Sequence, residues 1–220
     1  MEFHLDEALR YLGAGETADE TLRQDMAAVA NRLTTTIQPR WTYRVFSTEK
    51  REEGIFLKEA DIVLPGKMAA TMLATCQQAV LLVCTLGMEF EAMLRAEQAR
   101  DMARAVMLDA CGSAWVESGC DAAEAEIAAR FPNLYLTDRF SPGYGDLPLS
   151  LQPSVCAVLE AQKRLGVHVS SESYLMTPSK TVTAVIGLSD RPQMARIRGC
   201  DFCSMREHCN LRKGGTSCAF

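Results

Sequence analysis

The chain contains no apolar run near the roughly 20 residues needed to cross a bilayer. Its longest such run, Ala79 to Leu86, is the length of a strand. The opening MEFHLDEALR sets acids among its apolar residues and has no basic n-region, so a secretory signal is not expected. Basic charge is not in excess either. Twenty-three Lys and Arg against 28 Asp and Glu leave a net charge of −5, which offers no general attraction to nucleic acid or to an anionic membrane. Internal repeats, low-complexity tracts and domain linkers are missing, and so is any catalytic triad or paired-carboxylate arrangement. These absences predict a protein of the reducing cytoplasm.

The composition that remains is that of an ordinary globular domain, with 48% hydrophobic and 23% charged residues over 220 positions. Periodicity predicts helices over Leu5 to Leu12, from a Thr17–Glu20 capping box to Pro39, over Gly66 to Cys76 and over Glu89 to Ala99. A long helix is expected from Asp101 to Ala129, its apolar stripe carried by Met102, Val106, Ala110 and Ala114, with Gly112 and Ser113 small enough for a close approach. Another is expected from Pro153 to Arg164, capped near Gly166. Strands are expected at Trp41–Phe46, Ile55–Leu57, Ile62–Leu64, Ala79–Leu86 and Lys180–Leu188. Helices first, scattered strands and no regular βαβ alternation predict an α+β domain with a mainly antiparallel sheet and several helices. It is expected to span residues 1–195, with a cysteine-rich tail over 196–220.

The segment Arg139-Phe140-Ser141-Pro142-Gly143-Tyr144 carries the most chemistry. Arg139 offers a planar fork of donors suited to a carboxylate. Gly143 can take a positive φ and let a ligand approach the main chain, and Tyr144 adds a flat apolar face with a hydroxyl at its tip. An ordinary Pro-Gly turn with a solvated arginine is the plainer alternative.

From Arg139 to Asp190 the sequence resembles the activation domain of cobalamin-dependent methionine synthase. That family has an R-x-x-x-G-Y loop, a helix, and then an E-S-aromatic-x-M-x-P segment leading into a strand. Here the second segment is Glu172-Ser173-Tyr174-Leu175-Met176-Thr177-Pro178, followed by Thr181-Val182-Thr183. Upstream, TLGMEFE and DACGSAWVE are similar to the short, free-standing members of the family.

The resemblance implies a domain that binds S-adenosylmethionine. Its methyl group is presented to an inactivated cob(II)alamin, which one-electron reduction and methyl transfer return to methylcob(III)alamin. Arg139 would hold the ligand's carboxylate, with Gly143 and Tyr144 shaping the pocket. The work is positioning, since methyl transfer removes the scarce reduced cobalt state and pulls its formation forward. The chain departs from the family in two places. The tyrosine–phenylalanine pair of the full-length enzyme falls at Ile186-Gly187, and the N-terminal helmet with its aspartate has no clear counterpart. Cobalamin is expected on a separate corrinoid-binding methyltransferase protein, with flavodoxin or ferredoxin as a candidate electron donor.

Nine cysteines divide into two groups. Cys76, Cys84, Cys111, Cys120 and Cys156 lie in apolar or helical stretches and read as buried free thiols. Cys200, Cys203, Cys209 and Cys218 follow the spacing C-x2-C-x5-C-x8-C, with Arg196, Arg198, Arg206, Arg212 and Lys213 among them. A C-x2-C turn can grip one metal ion or one cluster edge, and His208 could replace a ligand. The uneven spacing favours a [4Fe–4S] cluster and leaves zinc as the alternative. The sequence thus predicts an accessory protein for reductive activation of a cobalamin-dependent methyltransferase in methionine biosynthesis. The rival reading is a zinc-stabilised interaction module that keeps the fold and binds no S-adenosylmethionine.

Overall fold

A computed structural model describes residues 1–193. The cysteine tail, with Cys200, Cys203, Cys209 and Cys218, lies outside them. In order, the elements are α1 (Leu5–Tyr11), α2 (Glu20–Thr36), β1 (Arg40–Arg51), β2 (Gly54–Leu57), β3 (Ile62–Leu64), α3 (Gly66–Met72), β4 (Cys76–Thr85), α4 (Gly87–Gln98) and α5 (Met102–Arg130). There follow β5 (Tyr135–Leu136), α6 (Gln152–Val158), α7 (Ala161–Leu165), β6 (His168–Val169), β7 (Met176–Thr177) and β8 (Thr181–Ser189). Six strands form one sheet in the order β3-β2-β1-β4-β8-β5, and β6 and β7 form a separate pair. The pairs β1–β2, β2–β3, β5–β8 and β6–β7 are antiparallel, as an α+β fold requires. Among the described residues no helix is long and apolar enough to cross a membrane.

By internal contacts the chain divides into two compact units. The first takes in Met1–Thr42, Val83–Ile127 and Leu159–Val182. Its core joins Leu9 of α1, Met26, Val29 and Leu33 of α2, Phe90 of α4, and Leu108, Cys111 and Trp115 of α5. The indole N–H of Trp115 donates to the Ile37 carbonyl at 2.8 Å, tying the end of α2 to α5. The stripe expected of this helix from its spacing, Met26, Val29, Ala30, Leu33 and Ile37, is buried in full, but the N-cap of α2 is Asp19, whose carboxylate accepts from the Leu22 amide at 2.8 Å. Thr17 instead bonds the Ala14 carbonyl at 2.6 Å, so the Thr17–Glu20 capping box does not form.

Of the expected α5 stripe, Ala110 and Ala114 are buried, but its first half differs from expectation. Met102 and Val106 are exposed, while Ala105, Leu108, Gly112, Trp115 and Gly119 face the core at the alternating three- and four-residue steps of a helix. Small residues on both faces of α5 leave the pattern ambiguous, and the neighbours decide it. A Cβ at Gly112 would collide with the Phe90 ring, and one at Gly119 would meet Cys84 Sγ at 2.8 Å.

The second unit takes in Tyr43–Leu82, Ala128–Val158 and residues 183–193. Here α3 packs on the β2–β3 hairpin and ends at Met72, short of the expected Cys76, which opens β4. β8 is buried at nearly every position, as a strand covered on both faces must be. The helix expected over Pro153 to Arg164 is two helices. Glu160 breaks it by adopting φ 52°, and Gly166 at φ 71° closes α7 as expected.

Candidate functional site

The Arg139–Leu147 loop lies in the second unit and begins where Phe140 pairs with Val185. The Phe140 amide donates to the Val185 carbonyl at 3.1 Å, and the Val185 amide returns a bond at 2.7 Å. Arg139, immediately before this bridge, is half-buried. The chain then curls on itself. Tyr144 N–H bonds the Ser141 carbonyl at 3.0 Å, Leu147 N–H the Tyr144 carbonyl at 2.9 Å, and Gly143 N–H the Leu147 carbonyl at 2.8 Å. Pro142 and Leu147 are buried beneath the loop, whereas Gly143 is exposed and Tyr144 is 59% exposed. Gly143 has φ 95°, a conformation L side chains rarely adopt, and a Cβ there would meet nothing nearer than Leu149 Cδ1 at 3.4 Å. The loop therefore presents Gly143 and Tyr144 outward, with the Leu149 side chain beside the glycine.

A residue the sequence reading missed anchors this loop. Asp146 receives the Lys67 amide at 2.6 Å and the Met68 amide at 3.0 Å, across 79 and 78 residues of chain. The Met68 bond and then the Lys67 bond hold its carboxyl below the usual carboxylate range. Asp is a natural partner for free amides at the start of a helix. Here the helix is α3, far away in sequence, so no local pattern announces the pairing.

The Glu172–Pro178 segment lies in the first unit, on the β6–β7 hairpin. The Ser170 hydroxyl accepts the Glu172 amide at 3.3 Å and the Ser173 amide at 3.2 Å, and Tyr174 is held at φ 59°. Leu175, beside it, is 66% exposed. The residues after Pro178 are clamped to the TLGMEFE segment. Glu91 accepts the Ser179 amide at 2.6 Å, Leu86 N–H bonds the Lys180 carbonyl at 3.0 Å, and the Thr85 and Thr181 hydroxyls lie 2.7 Å apart. Lys180, its side chain 14% exposed, places Nζ 2.9 Å from Asp109 Oδ2 and 2.9 Å from Ser113 Oγ. The two segments singled out separately in the sequence are thus joined by a polar network. That network uses Ser113, one of the small residues of α5.

Two further expectations meet packing. Ile186 is fully buried, and a Cβ at Gly187 would lie 2.7 Å from Leu73 and 2.9 Å from Thr137, so no aromatic ring fits there. The five cysteines outside the tail are buried free thiols. Desolvation pushes Cys76 and Cys156 up to about 11 and Cys111 up to about 12, which keeps these thiols protonated and unreactive. Among the described residues there is no group of three or more metal-ligating side chains.

No protein-family profile matches the chain, and no curated protein matches its sequence. A solved structure does. The crystal structure of the MetH reactivation domain bound to AdoHcy shares the fold at a TM-score of 0.62 and 16% identity, covering 91% of this chain and 75% of that one. The class defined by the architecture is therefore the reactivation-domain fold.

Proposed function

We propose that the chain binds S-adenosylmethionine through the Arg139–Leu147 loop and serves as an accessory protein in the reductive activation of a cobalamin-dependent methyltransferase. The observation that carries this reading is the outward-facing loop, with Gly143 exposed at φ 95°, on a fold shared with a domain bound to AdoHcy. An S-adenosyl ligand has a charged amino-acid end and a flat adenine. Arg139 supplies the fork for the carboxylate, Gly143 leaves room for the main chain to touch the ligand, and Tyr144 supplies an apolar face.

The ligand supplies an electrophilic methyl group. This chain's residues orient that group and hold it for a corrinoid carried by a separate methyltransferase protein. A donor such as flavodoxin or ferredoxin provides the accompanying electron. The cysteine tail holds a [4Fe–4S] cluster in this reading, with zinc as the alternative.

Isothermal titration of AdoHcy and of S-adenosylmethionine into the anaerobically purified protein tests the reading. Saturable binding of both, at one per chain, is expected. Absence of heat with either ligand, together with stoichiometric zinc, would leave the interaction-module reading in its place.

A further inference from the structure

We infer that Asp146 is a positioning residue for ligand recognition, acting by pinning the Arg139–Leu147 loop to the start of α3; this rests on the reading of that loop as the S-adenosyl site. Three observations in the second unit converge on it. The Asp146 carboxylate takes the Lys67 and Met68 amides at 2.6 and 3.0 Å, one oxygen to each. Gly66, at φ 94°, clears the space for that carboxylate, because a Cβ there would stand 2.6 Å from Asp146 Oδ1. Gly145, at φ 54°, brings the loop's main chain against Met68, where a Cβ would collide with its terminal methyl. Two glycines with positive φ, where any Cβ would collide, are what a close docking of loop on helix requires.

At its start the loop is bonded to Val185 of β8 through Phe140, and the bonds from Gly143 to Leu147, Tyr144 to Ser141 and Leu147 to Tyr144 run within it. The internal bonds fix its shape, the Phe140–Val185 pair fixes its start, and Asp146, with the buried Pro142 and Leu147, holds its far end. Gly143 and Tyr144, both exposed, have little packing of their own to hold them. If Asp146 lets go, the loop samples more positions, and the ligand must pay to order it on binding. Asp146 touches no ligand in this account. It acts through Gly143 and Tyr144.

The test is AdoHcy titration on the full chain with Asp146→Ala, Asp146→Asn, Gly66→Ala and the double variant Gly66→Ala/Asp146→Ala, beside melting curves. Asp146→Ala is expected to weaken binding about tenfold, with a less favourable binding entropy. Asp146→Asn keeps one acceptor oxygen and should recover part of that loss. Gly66→Ala evicts the carboxylate from its seat, so it should weaken binding as well, and the double variant should be no weaker than Asp146→Ala alone. A role in stability only would lower the melting temperature and leave affinity untouched. Wild-type affinity in Asp146→Ala overturns the inference. Should that variant not fold, wild-type affinity in both Asp146→Asn and Gly66→Ala overturns it equally. Failure of the unmodified protein to bind overturns the S-adenosyl reading instead.

Discussion

Glu91 Oε1 accepts the backbone N–H of Ser179 at 2.6 Å, joining α4 to the residue that follows Pro178. Burial, the largest single influence on the Glu91 carboxyl, pushes its pKa up. The bonds from Ser179, with Arg95 and Lys180 nearby, outweigh it and leave the pKa below the usual value.

A pH signature follows. A carboxyl whose folded pKa is depressed contributes stability that is present above its unfolded pKa, and loses it as pH falls through the folded one. Between pH ~5 and ~3 the melting temperature of the unmodified protein should therefore fall more steeply than that of Glu91→Gln. Glu91→Ala should cost roughly 1–2 kcal/mol at neutral pH, the low end for a bond to a charged group because the site is partly exposed. Parallel melting profiles for Glu91→Gln and the unmodified protein would remove the linkage.

Arg139→Ala should weaken S-adenosylmethionine binding by roughly 1.5–3 kcal/mol, the usual worth of a hydrogen bond to a charged partner. Arg139→Lys should recover little, since a point charge does not reproduce a planar fork. Equal affinities for Arg139→Ala and the unmodified protein, by titration calorimetry, would take Arg139 out of the site.

Gly143→Val should abolish ligand binding while far-ultraviolet circular dichroism stays close to that of the unmodified protein. At φ 95° a β-branched residue is strained, and its branches would crowd Leu149, whose Cδ1 lies 3.4 Å from the Cβ position. Retained binding would mean that the ligand does not approach the loop at this point.

The tail gives a chemical test. Anaerobically reconstituted protein should carry iron and sulfide, with broad visible absorption that dithionite bleaches. Changing Cys200 and Cys203 together to Ser should remove it, because that pair supplies half of the expected ligands. S-adenosylmethionine binding should persist in that variant. Stoichiometric zinc without iron, in protein never exposed to air, would end the electron-transfer role for the tail.

The sequence by itself determined the kinds of elements and where most of them lie. The run Ala79–Leu86 could only be a buried strand, Gly143 after a proline needed a turn, and the stripe from Met26 to Ile37 needed a core. These are local consequences of side-chain period and backbone freedom, so they can be read one residue after another. Residues 139–147 were also legible as a loop, because the turn-forming Pro142 and Gly143 are adjacent residues.

Tertiary structure alone decided what depends on residues far apart in the chain. It turned α5 so that Ala105 and Leu108, not Met102 and Val106, face the core, because Phe90 needs the gap at Gly112. It broke the expected Pro153–Arg164 helix by setting Glu160 in the left-handed region. It also gave Asp146 to the amides of Lys67 and Met68, and Glu91 to that of Ser179. A carboxylate's hydrogen-bonding capacity is visible in any sequence; which amide takes it is fixed only when the fold brings the two within 3 Å.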